Sequence, residues 1–404
     1  MKEFIPLMAL NPTIFRWART TAGFSLDQAA AALGFGDTRR RSAADRLAAL
    51  ESGEETPSRS VILKMAKVYR RSLLVFYLSD PPRPGNRGQD FRLVPGGREV
   101  QAEPLLDALI RDLQGRQAIV RSILEEGEPQ NLAFIGSASM NVPAGVLINQ
   151  ITEKINFSLS EFHSQADINE AFKYLREKVE ASGVFVILLG NLGSHHTNIS
   201  PESFRGFAIA DPIAPFIVVN DRDAKAAWSF TVLHELVHLW LGTTGISGAS
   251  FDSQIETFCN DIAGEILLPS SELGALSFVR QSSLEEAIEV ISSFAERRKI
   301  SRAMVAYKLL RTGTIDQSKW RRLSDHFRQE FLERRARNEV PEQREGGPNY
   351  YVVKRHRLGR ALLNLVRNSL TEGSLTYTKA GQILGVKPRN VEPLVHEITT
   401  QGGR

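Results

Sequence analysis

Between Asn11 and Leu78 apolar residues recur at helical spacing, and no run alternates as a strand would. Ser25 precedes a short apolar stretch, Gln28 follows it by the three residues of a capping box, and Gly34 closes the stretch. Ala30 and Gly34, four apart, suit a small residue at a helix crossing and a glycine in the turn of a helix-turn-helix. Leu47 and Leu50 belong to a second helix that stops at Gly53, while Val61, Ile62, Met65 and Val68 complete a small helical core. Pro and Gly then crowd the stretch from Asp80 to Gly97, which predicts a linker. Two or three helices are expected from Val100 to Glu126 and an amphipathic one over Asp167–Ser182. Val184–Leu189, Phe204–Ala210 and Phe216–Val219 are short β-branched or apolar runs bounded by Gly, Pro and Asp, and read as strands of one small sheet. Helical patterning resumes at Ala224 and continues to about Glu339, where Lys319–Arg337 is dense in Arg and Glu and reads as a solvated helix. Beyond the Gly346–Pro348 break a second helix-turn-helix-like pattern appears: Thr376 as cap, Ala380, Gly385 in the turn, and Pro388 opening a helix that holds Val391 and Leu394.

The order of elements predicts a mainly α chain with a small β-sheet. Residues 1–80 form a helix-turn-helix domain, 81–98 a linker, 99–275 an α+β domain, 276–340 a helical extension and 341–404 a C-terminal helix-turn-helix-like segment. A hydrophobic content of 42% excludes disorder for most of the chain. No run approaches the about 18 uncharged apolar residues of a membrane span, so a membrane partner is not expected. The single cysteine excludes a disulfide framework and any all-cysteine zinc site. Met1–Leu10 makes a poor secretory signal, and cytoplasm is the expected compartment. A net charge of +4 admits DNA as a partner without demanding it. Nothing in the pattern specifies an oligomer.

The chemistry concentrates at His234-Glu-Leu-Val-His238. Two histidines four apart lie about 40° apart around a helix, so both imidazoles can reach one metal ion, with Glu235 beside them. The surrounding Trp228, Phe230, Val232, Leu233, Leu236, Val237, Leu239, Trp240 and Leu241 make this helix apolar almost all round, hence buried. Two buried imidazoles and a carboxylate without partners would cost several kcal/mol, and a divalent cation satisfies all three. The competing reading is a chance match whose histidines bond to backbone carbonyls. A catalytic zinc site of this zincin type needs a third protein ligand. Ile255–Leu268 reads as one helix ended by Pro269 and offers Glu256, Asp261 and Glu265. Glu256 and Glu265 stand about 180° apart around it and cannot both face the metal. Glu256 shares a buried-looking face with Asn260, Ala263 and Leu267, and lies 18 residues after His238, enough for a loop over Gly242–Ser250 to return an antiparallel helix. Glu256 is therefore the preferred ligand, Asn260 an amide that orients it, and Glu265 a supporting carboxylate or the fallback ligand. In such a gluzincin-like site Zn²⁺ activates water and Glu235 carries the proton, which is peptide hydrolysis. Phe216–Val219 is a candidate edge strand for an extended peptide. Cys259 is expected to be a small buried hydrophobe, and adjacent His195 and His196 point apart, which disfavours a second metal site.

The motifs Phe204–Asp211, Ala214–Asn220, Phe230–His238 and Ile255–Asn260 with Leu267–Pro269 resemble, in order, those of the ImmA/IrrE family of zinc metallo-endopeptidases. The resemblance implies zinc ligands at His234, His238 and Glu256 and a catalytic glutamate at Glu235. It also implies an N-terminal XRE-type helix-turn-helix, to which Ser25–Pro57 is similar, and cleavage of an XRE-type transcriptional repressor in a stress response or mobile element. One departure stands out: Gly34 lies 17 positions before Glu51, which leaves an insertion around Asp37–Ala43 that lengthens or displaces the recognition helix. Arg39, Arg40 and Arg41 within it, with Arg46, are candidate DNA-binding residues through phosphate contacts; the same module could instead dock on a protein. Two alternatives from other classes remain: a DNA-binding regulator that uses the protease fold as sensor or docking platform, and a toxin–antitoxin component.

Overall fold

The computed structural model describes residues 10–82, 104–127, 130–194, 197–247, 254–339 and 349–396. They fall into two compact units, one of residues 10–82 with 104–112 and one of the described residues from 113 onward. The start of the helix after the predicted linker thus belongs to the N-terminal unit rather than to the domain expected to begin at 99.

In the N-terminal unit the helices are α1 (Pro12–Thr21), α2 (Leu26–Leu33), α3 (Ala43–Ser52) and α4 (Arg59–Val68), followed by a 3₁₀ segment at Leu73–Tyr77. Each helix starts on a polar side chain that accepts one of its otherwise unpaired amides: Asn11, Ser25, Ser42 and Ser58. Ser25 and Gln28 form the reciprocal capping box that their spacing predicts. Ile14, Phe15, Ala30, Leu33, Leu47, Ile62 and Met65 are buried together, with Val61 and Val68 packed at the margin. Arg19 of α1 clamps Glu51 of α3 with two bonds of 2.7 and 2.9 Å and donates a third to Phe24 O, an arrangement nearly withdrawn from water. The insertion does not lengthen α3, which keeps ten residues. It forms a loop pinned by Asp37, whose carboxylate accepts the Ala43 amide, and by Thr38 on Arg41 O.

The rest of the chain forms α5 (Pro104–Glu126), α6 (Ala144–Lys154), α7 (Leu159–His163), α8 (Ile168–Ala181), β1 (Phe185–Leu188), β2 (Gly206–Ile209), β3 (Phe216–Val219), α9 (Lys225–Trp240), β4 (Gly245–Ser247) and α10 (Gln254–Leu267). After a 3₁₀ stretch at Ser270–Arg280 come α11 (Leu284–Arg297), α12 (Arg302–Arg311), α13 (Gln317–Glu339), α14 (Tyr350–Leu358), α15 (Arg360–Thr371), α16 (Tyr377–Leu384) and α17 (Val391–His396). Among the described residues α5 is one continuous helix instead of two or three. The three predicted strands form, and β4 adds a fourth where a plain loop was expected. The sheet order is β1-β3-β2-β4, with β1 parallel to β3 and β2 antiparallel to both β3 and β4. Phe216–Val219 is therefore an interior strand, paired on both sides, and not the edge its position in the chain suggested. Every residue of β1, β2 and β3 is buried. Helix α9 packs on β2 and β3 and against α8 and α10.

The C-terminal helices join this second unit at the outer edge of β1, against which α14 packs. Arg176 of α8 donates to the edge carbonyl of Val186 and to His356 O (2.5 Å) and Arg357 O (3.2 Å) at the end of α14. Its partner Glu180, 3.1 Å away, accepts the amides of Arg360 (3.0 Å) and Ala361 (3.1 Å) and so caps α15 across 180 positions of sequence. Gly359 sits between them at φ 81°, where a Cβ would fall 2.1 Å from the Glu180 carboxylate. Burial pushes the Glu180 carboxyl up and the Arg176 guanidinium down, each partly offset by the other. Such a pair contributes specificity of docking more than stability, yet breaking it strands a buried charge.

We predict that Arg176→Ala costs about 3–5 kcal/mol in urea unfolding, and that limited proteolysis of the variant opens residues 349–396 first. Unchanged stability and an unchanged digestion pattern would remove this pair from the docking of the C-terminal helices.

Candidate metal centre

Helix α9 carries the site because the core holds it on all sides. Its residues from Trp228 to Trp240 are buried apart from Phe230, and they include His234 (3% exposed), Glu235 (0%) and His238 (3%). The i, i+4 spacing sets the two imidazoles edge to face, with ring centroids 4.9 Å apart. Against the sheet, Gly206 of β2 makes the close approach possible: a Cβ there would meet Thr231 Cγ2 at 2.6 Å and Glu235 Oε1 at 2.9 Å.

Helix α10 brings the third group. Glu256 sits 3.3 Å from His234 Nε2 and 3.2 Å from His238 Nε2, and the two Nε2 atoms are 3.1 Å from each other. His234, His238 and Glu256 are the group of potential metal ligands whose donor atoms converge among the described residues. Zinc bonds of about 2.0–2.1 Å in a tetrahedron imply donor separations of about 3.3 Å, so the three observed separations fit a divalent cation of that size. Burial works against a charged Glu256, but the hydrogen bonds and charge of His234 and His238 outweigh it and hold its carboxyl down at about 2. A divalent cation among the three groups would take the place of the imidazolium charge and favour the ionised carboxylate in the same way, as ligation requires.

Thr243, three residues beyond the end of α9, completes the support. Its hydroxyl donates to His238 O at 3.2 Å and meets His238 Nδ1 at 2.9 Å. With its hydrogen committed to the carbonyl, Thr243 Oγ1 accepts from Nδ1–H, which leaves the Nε2 lone pair facing Glu256 and His234. No motif in the sequence flags Thr243, because it lies past the helix in a Gly-Thr-Thr turn whose path is not readable from spacing.

The other candidates take varied places. Asn260 is buried one turn beyond Glu256 on the same helix. Glu265 is engaged away from the donor cluster, with Lys308 and with the amide (2.8 Å) and hydroxyl (2.8 Å) of Ser270, where it stops the helix before the 3₁₀ stretch; it is neither a ligand nor a support for Glu256. Cys259 is fully buried, and burial pushes its thiol up. His195 and His196 lie outside the described residues. In the N-terminal unit Arg41 is bound to Glu55 (2.9 Å) and Glu54 (3.8 Å), and Arg46 donates to Gly36 O (3.0 Å) while lying over the Phe35 ring. Arg39 and Arg40 are exposed on the inserted loop.

Residues 189–310 match the peptidase M78 family model, described as the IrrE N-terminal-like domain. The match takes in α9 and α10 with the whole donor cluster, supports the ImmA/IrrE resemblance, and points to a metallopeptidase-like function. No curated protein and no solved structure matches the chain.

Thr243→Val is expected to weaken metal affinity about 10–100-fold, and Thr243→Ser to restore it, both measured by competition with a chromogenic chelator. Equal affinities in the three proteins would show that His238 needs no such orienting contact.

Proposed function

We propose that the chain is a zinc-dependent endopeptidase that hydrolyses a peptide bond in a cytoplasmic regulatory protein, an XRE-type repressor being the substrate class the family resemblance implies. The single observation that carries this reading is the convergence of two buried imidazoles and one carboxylate beside a second buried carboxylate, Glu235. Zn²⁺ held by His234 Nε2, His238 Nε2 and Glu256 would supply Lewis acidity toward a peptide carbonyl and toward water. Glu235 is the base: its carboxylate takes the proton of the attacking water and delivers it to the departing amine nitrogen. Since β3 is interior, an extended substrate would pair along β4, which has a partner on one side only among the described residues.

The N-terminal unit would then supply recognition, of duplex DNA through Arg39 and Arg40 on the inserted loop, or of a repressor that shares its helical form. A regulator that has given up catalysis is the second reading, and the intact set of Glu235, His234, His238 and Glu256 speaks against it.

In cells expressing wild type or Glu235→Gln, mass spectrometry of newly formed protein N-termini tests the proposal. Cleavage products of a repressor should appear with wild type and fall by about 10²–10⁴-fold with the variant, which keeps all three ligands. Identical sets of termini would favour the regulator.

A further inference from the structure

The C-terminal helices hold a motif that the metal centre does not use. Helix α16 ends at Leu384, the turn Gly385–Lys387 follows, and a 3₁₀ turn at Pro388–Asn390 leads into α17. Two glycines make the crossing close. Gly381 leaves room where the chain returns: a Cβ there would fall 2.8 Å from Val386 O and 3.3 Å from Pro388 N. Gly385, four residues on, takes φ 60°, and the Val386 amide donates to Gly381 O at 2.9 Å. Ile383 and Leu384 of α16 are buried, as are Val391 and Leu394 of α17, and α15 packs on both helices. A small residue at the crossing, a left-handed glycine in a short turn and a third helix behind the pair make up a helix-turn-helix. Arg116 of α5 closes on Gly385, where a Cβ would fall 2.3 Å from its Nη2, so the turn is held by the body of the unit.

The outward side of this motif is polar and unengaged. Lys379 of α16, with Lys387 and Arg389 at the start of the second helix, is exposed, and the charged groups of all three form no hydrogen bond or ion pair with the described residues. By contrast Asp221 holds Arg357 at 2.6 Å, Glu177 holds Arg360 at 2.8 Å, and Pro393 O accepts from Arg355 at 3.3 Å. Tyr377 is 46% exposed and stands four residues before Gly381, hence on the side of α16 that meets the returning chain. Thr378 beside it is exposed too. Glu392, the carboxylate of α17, meets His396 at 3.4 Å. Cations and hydroxyls on the exposed side of two crossed helices suit the phosphate oxygens of a duplex. A helix with its side chains measures about 10–12 Å across, which the major groove at about 12 Å admits. An acidic peptide would match the same charges but gives no reason for the crossed-helix geometry.

We propose that the helix-turn-helix of α16 and α17 binds duplex DNA, with Pro388–His396 at the major groove and Lys379, Lys387 and Arg389 on phosphates. These residues lie outside both the metal centre and the N-terminal unit, so the assignment is independent of the proteolytic reading and of Arg39 and Arg40.

Fluorescence anisotropy of the full chain with a labelled mixed-sequence duplex of about 20 base pairs, over a range of salt, tests it. Wild type is expected to bind with a Kd of about 1–100 µM near about 0.15 M salt. Lys387→Gln with Arg389→Gln should weaken binding at least about tenfold and lower the slope of log Kd against log salt by about 1.8, two phosphate contacts at about 0.9 each. The same loss should appear in a chain that also carries Arg39→Gln and Arg40→Gln, which separates it from any contribution of the N-terminal unit. Lys173→Gln with Arg297→Gln removes the same charge from exposed sites elsewhere and should bind as wild type does. No binding by wild type, a slope unchanged by the Lys387 and Arg389 replacements, or an equal loss in the Lys173 and Arg297 control would overturn the assignment. Displacement of the labelled duplex by polyglutamate as readily as by unlabelled duplex of equal charge would transfer this face to an acidic protein and overturn it as well.

Discussion

The second unit is built around the burial of two imidazoles and a carboxylate on one helix, in a core otherwise made largely of Leu, Val, Ile, Ala, Phe and Trp. Polar groups so placed are tolerated only with partners that replace water. Helix α10 supplies Glu256, the turn after α9 supplies Thr243, and β2 gives up a side chain at Gly206 so that Glu235 can lie against the sheet. Four short strands suffice to present the apolar face on which α9 lies. The long helical run after Pro269 then closes the other side of the same core.

A second polar arrangement organises the outer edge of the sheet. Arg176 and Glu180, one turn apart on α8, complete the backbone hydrogen bonding of β1, α14 and α15 at once. The C-terminal helices are thereby seated on the protease-like unit by bonds to main-chain atoms, which fix position without requiring a matching side chain on the other partner. The same seating sets the end of α14, and with it Arg357, beside the segment that follows β3.

Much of this architecture was legible in the sequence where a local rule acts. The capping box at Ser25 and Gln28, the stop at Pro269, the Gly385 turn and the three predicted strands each follow from spacing or backbone preference. The His-Glu-x-x-His helix was readable because its apolar residues surround it on every side, and Glu256 because Ala263 and Leu267 mark its face as the buried one. What was not legible is long-range. Strand order is invisible to periodicity, so β3 passed for an edge, and three residues of β4 carry too little pattern to signal a strand. Arg176 and Glu180 have the i, i+4 spacing of an ordinary surface pair, and their role emerges only when residues 356–361 arrive from 180 positions away. Glu265 has the residue type of a ligand, but Lys308 from α12 claims it.

Whether His234, His238 and Glu256 hold one zinc ion is read from zinc K-edge X-ray absorption spectroscopy on the purified chain. The expected result is about one zinc per chain, coordinated only by nitrogen and oxygen scatterers at about 2.0–2.1 Å, with the multiple-scattering signature of two imidazoles. A sulfur scatterer at about 2.3 Å would place Cys259 among the ligands, and a chain that binds no zinc would remove the centre; either result overturns the proposed site.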